Sequence, residues 1–162
     1  MLPEPVRERP VAAALEAYDP AAITGGLYEF GELTIYVEPS KIVGVCQFLK
    51  HSQSFIRLSG VTALDWYPME PRFEIVYHLH SLERNERLRL KCKVDGENPE
   101  IDSVYSVWRG ADWYEREIFD LFGVKFRNHP NLIRILMPDA WEGHPLRKDY
   151  PVHGYKYSYP NE

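Results

Sequence analysis

Residues 87–94 read RLRLKCKV, so Leu88, Leu90, Cys92 and Val94 alternate strictly with Arg87, Arg89, Lys91 and Lys93. Successive side chains of a strand point to opposite faces, and an apolar/charged period of two fits a sheet with one face on a core and the other open. Antiparallel sheets tolerate that asymmetry; parallel sheets covered on both faces do not. The fold must therefore supply a core for one face and leave cations on the other.

Two further runs suit the same sheet. RFEIVYHLHSL at 72–82 is separated from RLRLKCKV by ERNE, which predicts a hairpin, and SFIRLSGVTALDWY at 54–67 predicts a third strand. A turn pairing residue 84 with residue 87 sets His80 opposite Lys91 and His78 opposite Lys93, making the outer face distinctly basic. Upstream, ELTIYVEP alternates Leu33, Ile35 and Val37 with Thr34, Tyr36 and Glu38. PSKIVGVCQFLKHS then places Ile42, Val45, Cys46 and Leu49 at helical spacing behind a proline suited to a first turn. VAAALEAY lies within a short helical lead-in bounded by prolines.

IDSVYSVWRGADWYEREIFDLFG, residues 101–123, offers Asp102 or Ser103 as a helix cap, with Gly110 interrupting. Beyond that break Tyr114, Ile118, Leu121 and Phe122 form a helical stripe that Gly123 terminates, with Glu115, Arg116, Glu117 and Asp120 on the charged side. These elements predict an α/β domain of the α+β type: a mostly antiparallel or mixed sheet with helices packed on one face. The core domain spans 1–126, residues 1–20 being the lead-in.

From 127 to 162 the texture changes. Prolines at 130, 138, 145, 151 and 160 exclude a long helix, and only LIRILM suggests a short strand. Structureless segments of that length are usually functional or disordered. This one carries Leu132, Ile133, Ile135, Leu136, Met137, Trp141, Leu146 and tyrosines at 150, 155, 157 and 159, apolar surface that favours burial by roughly 25 cal/mol per Å². It predicts an extended, irregular C-terminal arm that docks on a partner. From Gly123 to Lys156 six basic residues face three acidic ones, an excess of +3 on a chain whose net charge is −5.

At 162 residues the chain sustains one core without disulfides or metals. Cys46 and Cys92 lack the paired spacing of a zinc or iron–sulfur site, and no apolar stretch approaches the roughly 18 residues of a membrane helix. The overall negative charge argues against general nucleic-acid binding. His78 and His80, with Glu74, have the spacing of a metal set, but Lys91 and Lys93 beside them repel a cation. Three carboxylates in EREIFD suggest acid–base chemistry, yet only Glu117 and Asp120 share a helix face. Dinucleotide, phosphate-loop and nucleophile-elbow motifs are missing. The basic sheet face lacks interleaved aromatic residues for base stacking. Arg147, Lys148 and Asp149, held between Pro145 and Pro151 near Trp141 and Arg134, combine interface-prone residue types with a backbone of few conformations.

The ordered series E-R-E-x-x-D-x-x-G, H-P-x-L-x-R-I-L and W-x-G-H-P-L-R-K-D-Y-P, within residues 111–155, resembles the hydrophilic-arm C-subunit family of the proton-pumping NADH:quinone oxidoreductase, respiratory complex I. The resemblance extends upstream to about residue 30. It implies a structural or assembly subunit of the peripheral arm, without cofactors of its own; FMN and iron–sulfur clusters would sit on other chains. It implies docking on the large quinone-site subunit and neighbouring hydrophilic-arm subunits. The chain would lie on the cytoplasmic side of the cell membrane, held there only through the complex. Carried over by position, Glu115, Arg116, Glu117 and Asp120 form the signature helix. His129, Pro130 and Arg134 start the arm, and Trp141, His144, Arg147, Lys148 and Asp149 hold it on the partner. Ile133 departs from the pattern, standing where relatives often carry a basic residue. The alternatives are the equivalent subunit of a membrane-bound hydrogenase or ferredoxin-fed complex, and a free-standing enzyme using Glu117, Asp120 and His129.

Overall fold

A computed structural model describes residues 2–155. Helices α1 (Glu4–Arg7) and α2 (Pro10–Tyr18) precede strands β1 (Ile23–Glu29) and β2 (Glu32–Val37); α3 (Ile42–Ser52) leads to β3 (Arg57–Asp65), β4 (Phe73–Ser81) and β5 (Glu86–Val94). The short strand β6 (Glu100–Asp102), helix α4 (Ala111–Phe122) and strand β7 (Lys125–Arg127) follow. The main sheet has the order β1-β2-β5-β4-β3, antiparallel throughout except where β2 runs parallel to β5. It is a mixed α+β sheet, as the alternating runs imply.

One core lies against one face. Leu33, Ile35 and Val37 of β2, Leu88, Leu90 and Cys92 of β5 and Ile75, Tyr77 and Leu79 of β4 join Leu15 of α2, Ile42 and Leu49 of α3 and Ile118 of α4 in a single apolar cluster. α3 contributes the stripe its sequence period marks, and from the α4 stripe Ile118 is buried with Tyr114 and Phe122 packed against the cluster; such burial rather than intrinsic propensity holds short helices.

The hairpin register differs from expectation by four residues. Ser81 pairs with Glu86, so His80 faces Arg87 and His78 faces Arg89, instead of Lys91 and Lys93. The loop is longer than a two-residue turn because Ser81 Oγ accepts the Arg84 N–H at 3.3 Å and Asn85 takes a left-handed φ of 49°. Nor is the outer face basic throughout. Away from the hairpin turn Lys91 Nζ donates to Glu74 at 2.7 Å, and the adjoining cleft also holds Glu38, Glu70, Asp95 and Glu100. The unpaired arginines collect at the turn end.

Three strands escape the sequence pattern. β1 carries Gly25 and Gly26, and a Cβ at Gly26 would meet Val6 at 2.9 Å and Leu2 at 3.0 Å, so glycine there lets the lead-in helix sit on the strand. β6 and β7 pair parallel over three residues, which makes Asp102 a strand residue receiving Arg127 Nε at 3.0 Å and not a helix cap. LIRILM forms no strand. Tyr157, Tyr159 and Lys156 lie outside the described residues.

Candidate functional site

α4 and the segment that follows it form one unit. The helix opens with Asp112 in its first turn, favourable at the positive end of the helix dipole, and closes at Gly123 with φ 75°. Its inner side carries two carboxylates that the helical period alone assigns to solvent: Glu115 and Asp120 are both completely buried. Only Glu117 of the expected charged side is freely exposed, and among the described residues it has no ion pair or hydrogen bond.

Burial is possible because the fold supplies donors. Glu115 accepts Ser103 Oγ at 2.5 Å and the Val104 N–H at 2.8 Å. Desolvation outweighs those bonds, and with Asp112 nearby it pushes the Glu115 carboxyl up to about 7. His129, its side chain fully enclosed, lies with Nε2 3.3 Å from Asp112 and 3.8 Å from Glu115, while Nδ1 accepts the Asn131 N–H at 3.1 Å. That acceptor role requires a proton on Nε2, facing the two carboxylates.

Asp120 organises the return of the chain. Its Oδ1 receives Arg134 Nη1 at 2.8 Å, and its Oδ2 receives the backbone N–H groups of Ile135, Leu136 and Met137 at 3.1, 2.7 and 2.8 Å. Burial would raise its pKa, but the three N–H groups and Arg134 more than offset that and hold the carboxyl below its ordinary value. Arg134 also donates to the Gly143 carbonyl at 3.0 Å, and Arg116 donates to the carbonyls of Ile133 and Arg134 at 3.1 and 3.2 Å. Residues 131–143 are thereby strapped across α4 without a single regular element.

The next stretch caps the helix. His144 Nδ1 donates to the Asp120 carbonyl at 2.9 Å, the Leu146 N–H to that of Leu121 at 3.0 Å, and Arg147 Nε to that of Phe122 at 2.6 Å. These carbonyls are the ones a helix C-terminus leaves unsatisfied. A Cβ on Gly123 would lie 2.6 Å from both Arg147 and His144, so glycine is required for close approach as well as for φ.

Beyond Arg147 the chain reaches the far edge of the sheet. The Lys148 N–H donates to Asp65 Oδ2 at 2.8 Å, and Asp149 accepts Arg72 Nη1 at 3.1 Å and Nη2 at 2.6 Å. Arg72 also forms a two-pronged pair with Asp65 at 2.8 Å on each prong. Burial would raise the Asp65 pKa, but hydrogen bonds from Arg72 and the Lys148 and Tyr67 N–H groups hold it at about 2. Asp65 and Arg72 carry no sequence signal, since seven residues and a loop separate partners that only the tertiary fold brings together.

The expected contact residues thus fall into two groups. Glu115, Arg116, Asp120, His129, Arg134, His144, Arg147 and Asp149 engage their own chain; Trp141 is half-buried with its indole Nε1 enclosed and unpaired among the described residues. Glu117, Pro130 and the Lys148 side chain face outward, beside exposed Trp113, Ile133, Leu136 and Leu146. Asp120 has every oxygen engaged and the His129 ring is enclosed, so neither is presented to a substrate alongside Glu117. Among the described residues no group of three or more His, Cys, Asp or Glu side chains has metal-binding geometry, and no helix is long and apolar enough to cross a membrane.

Residues 35–156 match the family of the respiratory-chain NADH dehydrogenase 30 kDa subunit. The chain belongs to this family. The NADH-quinone oxidoreductase C-subunit of Geobacter sulfurreducens is 51% identical over 125 residues, 76% of this chain and 77% of that protein. Its counterparts from Roseiflexus sp. and Cereibacter sphaeroides are 46% and 44% identical, covering 88% and 95% of this chain and 83% and 76% of theirs. Among solved structures, a trypsin-resistant fragment of Nqo5 superposes with a TM-score of 0.64 at 26% identity over 75% of this chain and 96% of its own. A chain of an archaeal respiratory membrane complex, the membrane-bound sulfane sulfur reductase, gives 0.75 at 26% identity over 88% and 84%. The family region contains β5, α4 and the strap entire.

Proposed function

We propose that the chain is a structural and assembly subunit of the peripheral arm of a proton-translocating NADH:quinone oxidoreductase, and that it is non-catalytic alone. FMN and iron–sulfur clusters belong to other subunits, and the chain reaches the cytoplasmic face of the membrane only through the complex. The observation that carries this reading is the engagement of the signature side chains within the chain: Asp120, Arg134, His144 and Arg147 fasten the strap to α4 and are not presented to a substrate.

The large quinone-site subunit docks on the outer side of α4 and the strap. The contacts there are Trp113, Glu117, Ile133, Leu136, Leu146 and the Lys148 side chain, all exposed, with aromatic and apolar anchors beside charges in the mixture typical of interfaces. Arg147 and Asp149 act one step behind, by shaping that surface.

Deleting the gene and measuring NADH-dependent quinone reduction in membranes tests the first part: activity and the intact assembly should both vanish and return with the wild-type chain. The purified chain, offered NADH and a soluble quinone, should turn over nothing. Enzyme-like turnover by the chain alone would overturn the reading. The likeness to the sulfane sulfur reductase chain favours one second reading, the same structural role in a complex fed by another donor. The purified assembly separates the two, since only the first oxidises NADH.

A further inference from the structure

The sheet face turned away from the core is chemically distinct at its turn end. A groove of about 880 Å³ opens there, lined by Arg57, His78, His80, Arg87 and Arg89. Arg57, His80 and Arg87 lie directly opposite one another across β3, β4 and β5, and His78 faces Arg89 in the next row. Arg57 and Arg87 thus flank His80 in one row, two cations held on the same face of the sheet.

Among the described residues that line the groove Glu32 is the only acidic one, and it pairs with Arg89. Three arginines less one glutamate leave a local charge of +2 before either histidine is protonated, on a chain of net −5. Arg57 and Arg87 are exposed, and neither makes a side-chain hydrogen bond or ion pair among the described residues. The rim carries Phe30, 102% exposed at the tip of the β1–β2 turn. A fully exposed phenylalanine beside unpaired arginines is the combination that interface hot spots use.

We infer that this groove docks an acidic segment of another polypeptide, with Phe30 as its apolar anchor. Arg57 and Arg87 stand two strands apart, about 10 Å. Two carboxylates along a peptide span that distance; one small anion does not. Guanidinium forks match carboxylates in a planar, two-bonded geometry. A nucleic-acid strand would need successive aromatic platforms, and Phe30 is the single aromatic residue among the described residues that line the groove. The inference stands apart from the reading of the strap, because the groove and α4 lie on opposite faces of the sheet.

A photoreactive p-benzoylphenylalanine at position 30, illuminated in the native assembly, tests it. The expected product joins this chain to a peptide of a different protein in which Asp and Glu outnumber Lys and Arg. Its yield should fall at least fivefold when Arg57→Gln and Arg87→Gln are combined, and stay unchanged with Arg127→Gln on the two-stranded sheet. No adduct, an adduct with lipid, nucleic acid or a second copy of this chain, a partner peptide without acidic excess, or an equal loss with Arg127→Gln would overturn the inference. Fluorescein-labelled hexaglutamate supplies a second measurement on the isolated full chain. Its affinity at low salt should drop at least tenfold in the double variant while thermal unfolding stays unchanged, and equal binding by both proteins would count against the groove.

Discussion

Asp120 shows how a charged residue becomes a structural one. The carboxylate is fully enclosed, yet four donors within 3.1 Å compensate it, three of them from a backbone that has no other use for those N–H groups. Removing one partner of such a set leaves the others buried and unpaired, a loss of about 3–5 kcal/mol. Asp120→Ala should therefore lower the stability of the isolated chain in urea by that amount and accelerate tryptic cleavage after Arg134, while cleavage after Arg57 keeps its wild-type rate. The sequence places Asp120 in the signature but on the solvent side, because a helical period records polarity and not the donors that arrive 15–17 residues later.

Two carboxylates in different parts of the fold respond to pH in opposite senses. Asp65 falls from an ordinary 3.8 to about 2 in the folded chain, so the stability it contributes is complete above about 4 and is lost as pH drops through about 2, some 2 kcal/mol in all. Glu115 rises from 4.5 to about 7, so the folded chain holds its proton more tightly and the contribution, complete below 4.5, is lost as pH climbs through 7. Asp112 is the charged group facing it, beside the His129 ring. Denaturation followed from pH 5 to 8 should show a decline in the wild type that flattens in Glu115→Gln.

At the scale of elements, strict alternation and helical stripes made the sheet, α3 and α4 legible. What escaped was held by distant partners. β1 hides behind two glycines, of which Gly26 makes room for Val6 of α1, and β6 and β7 are three residues each, intelligible only as a pair 25 residues apart. The strap has no period at all, since its order comes from Asp120 and Arg116 of α4 together with Arg134, and not from a repeating ladder of its own. Gly123 is the element-level hinge of that arrangement. Gly123→Ala forces a Cβ into left-handed backbone and against Arg147 and His144, so a cost of about 1–3 kcal/mol should appear as a lowered thermal midpoint.

For the whole molecule, packing and docking separate cleanly at two adjacent positions. Arg147 caps Phe122 and lies over the Phe73 ring, 5.3 Å from its centroid, whereas the Lys148 side chain is exposed and only its backbone N–H is engaged. Arg147→Ala should weaken both the isolated chain and its incorporation into the assembly. Lys148→Ala should leave the isolated chain within about 0.5 kcal/mol of wild type and reduce incorporation alone. Urea titration of the purified chain and native-gel mass of the assembly read the two effects independently.

The bond from the Lys148 N–H to Asp65 spans 83 residues, which gives the fold a schedule. On a ribosome adding about 5–20 residues per second, the sheet that contains Asp65 and Arg72 emerges seconds before the strap that completes their coordination. A nascent chain stalled ahead of His144 would present the Asp65–Arg72 pair uncovered and α4 without its cap. The latch thus closes only once synthesis has passed Asp149, and a chain released before that point lacks the contacts that join the strap to the sheet edge.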